Sequence, residues 1–155
     1  MVRWYDGLYG GLVAGFTVAL FYALVAISWL HETTLGGFFA QIASGAIHTG
    51  APLDRNAWAI ACGVGLHFLS AAGFGIGYAL AAGRIRSMVR PPFSVLWGLA
   101  YGLAVWFTIN DLLVPLLGIA STQPLWEGLI ADTIFYGIVI SEFITVVNGR
   151  KADTA

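Results

Sequence analysis

Between Arg55 and Arg84 the chain carries no lysine, arginine, aspartate or glutamate. The centre of that stretch, "ACGVGLHFLSAAGFGIGY", is small and oily with a single imidazole, His67. A helix rises 1.5 Å per residue, so about 20 apolar residues cross the hydrocarbon core of a bilayer. Four segments meet that requirement, at about 8–30, 57–82, 94–114 and 128–147. The chain is 155 residues long, 59% hydrophobic and 10% charged, where soluble domains carry about 25% charge. That much apolar surface has no interior to hide in if the solvent is water. The expectation is one all-α membrane domain, residues 1–155, with four transmembrane helices. The first apolar run exceeds the 7–15 residues of a typical signal-peptide core and reads as a retained helix.

Other partners and frameworks fall away on the same composition. The net charge of −1 and the lack of a basic patch exclude nucleic acid. One cysteine, Cys62, excludes an internal disulfide and a cysteine-rich metal site. The partners to expect are the lipid bilayer and either another membrane protein or further copies of the chain.

Between the first two spans lies an apolar core at 35–47, too short to cross. It should lie at the interface or dip in as a re-entrant segment. After the third span, Pro115 and Pro124 bracket an irregular apolar segment; proline lacks a backbone donor, so the helix should kink or end there. Arg3, Arg84, Arg86, Arg90, Arg150 and Lys151 fall at the termini or in the middle loop, with Arg55 alone opposite. The positive-inside bias then puts both termini in the cytoplasm.

Membrane helices associate through close packing at small residues. The first helix offers Gly7, Gly11 and Gly15 at four-residue spacing; the second continues Ala59, Gly63, His67, Ala71 and Gly75. A parallel stripe on the second holds Ala61, Gly65, Gly73 and Gly77. The third offers Gly98 and Gly102, the fourth Gly137. The GxGxG at 73–77 is no dinucleotide fingerprint, because no strand precedes it.

Ionisable residues inside a membrane are costly and usually face the protein interior with a partner. Those here are His67, Asp111, Asp132 and Glu142, with Asn110 beside them and His31 and Glu32 at the outer end of the first helix. His31, Glu32, Asp111, Glu127 and Asp132 are expected to ring an outward-facing vestibule with His67 below it. The bland alternative leaves the acids wet at the outer interface, Glu142 bonded across helices or to Arg150, and a neutral His67 bonded to a facing backbone group or hydroxyl. Asn110, Asp111, Asp132 or a water are the partners to expect for His67. A carboxylate partner would make it a titrating element; a neutral partner would make it a structural pin. No nucleophile elbow, zinc-protease helix or phosphate loop occurs. His31, His48 and His67 are too staggered in depth for haem, so neither a cofactor nor a metal is expected, nor an enzyme.

The stretch "LHFLSAAGFGIGY", together with "VPLLGI" at 114–119 and "PLWEG" at 124–128, resembles the YagU-like family of small bacterial inner-membrane proteins over about residues 57–147. The matching positions are His67, Ser70, Gly77, Tyr78, Pro115, Gly118 and Glu127. The resemblance implies the bacterial cytoplasmic membrane, no established enzymatic activity and a link to acid resistance. One position departs: Thr133 stands where the family often has a histidine before the Tyr136-Gly137 pair, so a role needing two intramembrane histidines does not carry over. Two function classes follow. The first is an accessory or structural subunit of a larger membrane complex, favoured by small size and abundant packing stripes. The second is a small transporter, channel or proton-handling protein using the polar cluster.

Overall fold

A computed structural model describes residues 2–27, 34–44, 47, 56–119 and 124–153. Among these there is no strand. Helix α1 (Trp4–Tyr22) runs on through a wide π-helical stretch, Ala23–Ile27. The short α2 is Leu35–Ala43, and α3 is Ala57–Arg84. A single 3₁₀ turn, Arg86–Val89, leads into α4 (Phe93–Phe107), which continues as a π stretch, Thr108–Leu113, and a last turn, Val114–Leu117. Helix α5 comprises Leu125–Ile130, a π stretch Ala131–Ile138, and Val139–Asp153.

The ends follow from local chemistry. A helix leaves its first amides unpaired, and a side-chain oxygen just before it can accept them. Asp6 does so for α1 by reaching back to the amide of Arg3 (2.8 Å). Thr34 accepts from Gly37 (3.0 Å) ahead of α2, and Asn56 from Trp58 and Ala59 (3.0 and 3.3 Å) ahead of α3. Pro115 does not stop α4. The helix ends at Gly118, whose φ of +63° lets Gly118 and Ile119 close onto the carbonyls of Pro115 and Val114 (3.3 and 3.0 Å). Only glycine takes that left-handed turn without strain.

Among the described residues four helices are long and apolar enough to cross a membrane: Trp4–Val25, Ala57–Arg84, Phe93–Leu117 and Leu125–Gly149. The first begins four residues earlier than the apolar count suggests, because Trp4 and Tyr5 are already helical. Between 11% and 44% of each span's most apolar window is buried, and Leu69 and Leu116 stand 70% and 73% exposed. Apolar surface on that scale suits lipid, not water.

The spans form two close pairs, α1 with α3 and α4 with α5, joined along α1 and α5. On the first pair a Cβ at Gly75 would stand 2.6 Å from the Cα of Gly11, and one at Gly7 2.6 Å from the Cβ of Ala79. On the second, a Cβ at Gly102 would stand 2.7 Å from the Cα of Thr133, and one at Gly98 2.9 Å from the Cβ of Ser141. Gly137 faces Gly102 in turn. The pairs meet where Thr17 donates to the carbonyl of Phe135 (2.8 Å) and the Phe21 ring lies 4.7 Å from that of Phe135. Gly63 turns to α2, where the backbone of Phe39 occupies the space a side chain would need.

Candidate ligand cavity

Helices α3 and α4 belong to different pairs, and what separates them is the site. They meet where the Tyr101 hydroxyl donates to the carbonyl of Phe74 (2.5 Å) and its ring packs edge-on against Tyr78 (centroids 5.0 Å apart). Beyond that contact, toward the Ala57 end of α3, the two diverge around a cavity of about 270 Å³. Gly15, Val18 and Tyr22 of α1 form one wall; Leu66, His67 and Ser70 of α3 form another. Ile109, Asn110 and Leu113 of α4 stand opposite, Asp132 and Tyr136 of α5 close the back, and Phe38 and Gln41 of α2 cover it. The lining is mostly aliphatic and aromatic, with a few polar groups, which is the usual character of a small-molecule site.

His67 is held by backbone. Its Nε2 lies 2.9 Å from the carbonyl of Gly15. A carbonyl only accepts, so Nε2 carries the proton and, in the neutral ring, Nδ1 is left as an acceptor. Gly15 makes this approach possible, since a Cβ there would lie 2.7 Å from that of Ala71. The rings of Phe38, Phe39 and Phe68 pack edge-on around the imidazole at 5.9, 5.7 and 5.1 Å. Of the partners expected for this ring, the facing backbone is the one found at Nε2, and Asn110, Asp111 and Asp132 are not bonded to it. A stripe of small residues leaves main-chain carbonyls bare, and one of them takes the proton.

The other polar residues divide. Tyr136 donates to the carbonyl of Ala71 (2.6 Å) and so ties α5 to α3 at the closed end. Asn110 lines the cavity and donates to the carbonyl of Trp106 (3.0 Å). Asp132 lines the cavity within electrostatic reach of Tyr22 and Tyr136 and makes no hydrogen bond among the described residues. Asp111 is not part of the lining. Consecutive helical residues point about 100° apart, and with Asn110 turned inward Asp111 lies on the exposed side of α4. Glu142 is away from the cavity and accepts from Ser94 Oγ (2.9 Å), an α4–α5 tie. Glu127 is fully buried beside Tyr22. His31 and Glu32 lie outside the described residues, so of the expected vestibule ring the cavity contains Asp132, with Glu127 enclosed nearby.

Tyr22 in the lining and Trp106 next to Gly128 were not singled out from the sequence. Tyr22 follows Gly11, Gly15 and Val18 at spacings of three and four, the signal that puts it on the inward stripe. Trp106 sits with its indole nitrogen buried and unpartnered among the described residues, against the face of Gly128 where a Cβ would come within 3.3 Å. No group of three histidine, cysteine, aspartate or glutamate side chains that would hold a metal occurs among the described residues.

The fold and cavity define a class, a protein whose described residues are all-helical with four candidate membrane spans and an apolar cleft that carries polar groups at its back. No family model, curated protein or solved structure matches the sequence.

Proposed function

We propose that the chain is a non-enzymatic carrier in the bacterial cytoplasmic membrane, both termini in the cytoplasm, with its substrate site in the cavity between α3 and α4. The observation that carries this reading is the cavity's asymmetry. It is bounded at one end by the Tyr101–Phe74 and Tyr136–Ala71 hydrogen bonds and extends at the other to Leu117, Ile119 and Pro124. With Arg84, Arg86 and Arg90 held inside by the positive-inside bias, the Leu117 end faces outward. Helix α2 is then a re-entrant lid. Phe39 meets α3 at Gly63, six residues and about 9 Å below the start of that helix, and the rings of α2 reach His67, about 15 Å down. The test is solute flux into proteoliposomes. Faster uptake of an aromatic solute than into protein-free vesicles, lost on Ile109→Trp, is the expected outcome. Uptake equal to protein-free vesicles for cationic, neutral and anionic solutes alike contradicts the reading.

A second reading, an accessory subunit or homo-oligomer, is favoured by the outer face of α3. Ala61, Gly65 and Gly73 are exposed there, and a Cβ at Gly65 or Gly73 would meet nothing within 4 Å. A stripe of this kind suits another membrane helix. Loss of a co-purifying partner or of self-association on Gly65→Leu and Gly73→Leu is what this reading expects. Membership of the YagU-like family is likewise a proposal, resting on the residue matches at His67, Ser70, Gly77 and Tyr78.

A further inference from the structure

The geometry points to an amphipathic organic amine as the molecule the cavity takes, its apolar body between α3 and α4 and its ammonium group on Asp132. This rests on the cavity being a substrate site. Several of the hydrogen-bond donors that line it are already engaged with backbone carbonyls. His67 gives its Nε2 proton to Gly15, Tyr136 its hydroxyl proton to Ala71, Ser70 its own to His67, and Asn110 an amide proton to Trp106. Asp132 stands apart, a carboxylate in the lining with no hydrogen bond among the described residues and within electrostatic reach of Tyr22. A carboxylate so placed selects a ligand that brings donors, and a primary ammonium brings three.

Charge leads to the same class. Among the described residues no lysine or arginine lines the cavity, so an anionic head would meet Asp132 and no counter-ion. A carboxyl group at this depth calls for an ionic or hydrogen-bonding partner, and the described residues give Asp132 none. The walls suit the rest of such a molecule. Tyr22, Phe38, Phe74 and Tyr136 offer ring faces and edges to an apolar body, and a cation near an aromatic face gains further attraction. About 270 Å³ is at the small end for ligand sites. It admits a single ring with a short chain and excludes a phospholipid.

Three probes that share one ring and differ in the head separate the possibilities: phenethylamine, phenethyl alcohol and phenylacetate. Binding to the full chain in lipid nanodiscs is measured by calorimetry against protein-free discs. The amine should bind about tenfold or more tighter than the alcohol, since a charge-assisted bond adds that much, and phenylacetate should be weakest. Asp132→Asn should bring the amine down to the alcohol's affinity and leave the alcohol unchanged. The order of the three probes on the unmodified chain decides the matter even where that variant does not fold. Equal affinities, or phenylacetate the tightest, overturn the amine assignment while the cavity stands, provided Ile109→Trp abolishes binding. Binding of no probe above protein-free discs, or binding indifferent to Ile109→Trp, overturns the cavity reading itself.

Discussion

Gly75→Ala adds one methyl group to α3 and should cost the protein about 1–3 kcal/mol, the range for overpacking a tight contact. The added Cβ would stand 2.6 Å from the Cα of Gly11 and 2.8 Å from its nitrogen. Both are backbone atoms, so no side chain can swing aside. An ordinary carbon–carbon contact is about 3.5–4.0 Å, so α1 and α3 must part by about 1 Å at that level, and a gap of that size forfeits up to about half of each neighbouring contact. The same displacement stretches the His67–Gly15 hydrogen bond, which sits two turns away on the same pair of helices. Gly73→Ala is the matched control, because the same methyl on the same helix meets nothing within 4 Å. It should be neutral, or stabilising by the up to about 1 kcal/mol that alanine gains over glycine in a helix. Unfolding in mixed micelles, followed by far-UV circular dichroism, compares the two. Equal loss from both substitutions, or a Gly75→Ala protein as stable as the parent, would refute the backbone-contact argument.

Three further outcomes are expected. His67→Gln keeps a donor for the Gly15 carbonyl and should be mild, whereas His67→Leu leaves that site without its donor and should lose about 1–3 kcal/mol in the same unfolding assay; a larger loss from Gln than from Leu would contradict the structural-pin role. Gly63→Ala drives a methyl into the backbone of Phe39 and should undock α2 without unfolding the spans, seen as protease cleavage within 34–44 on otherwise intact protein; unchanged resistance would show that α2 is held elsewhere. Arg86→Cys, with Cys62→Ala, should react with an impermeant maleimide only from the cytoplasmic face; reaction from outside would invert the topology.

The four spans were legible because an apolar run of about 20 residues has few other uses. Four-residue spacing in Gly7, Gly11, Gly15 and in Ala71, Gly75 was legible for a similar reason, since it places small residues on one line of a helix. The cavity was not. Its walls come from five elements, and the π stretches at Thr108–Leu113 and Ala131–Ile138 shift the helical phase where it matters most. A 3.6-residue count carried through 108–113 has no means of choosing Asn110 over Asp111 as the inward residue. Which backbone group pairs with His67 was illegible for another reason. It is a main-chain carbonyl 52 residues away, and backbone has no letter in the sequence. Tyr101, whose hydrogen bond to Phe74 marks where α3 and α4 part, reads from sequence as one more aromatic in an apolar helix.

The central claim is that the space between α3 and α4 is open to the outer face of the membrane and closed to the inner. Ile109 lines that space, so a single reporter there is decisive. With Ile109→Cys on a Cys62→Ala background in intact spheroplasts, the account predicts reaction with an impermeant maleimide added outside. In inverted vesicles with the same reagent it predicts none. Protection of the thiol from outside until the protein is unfolded, or reaction from the cytoplasmic face, would contradict it.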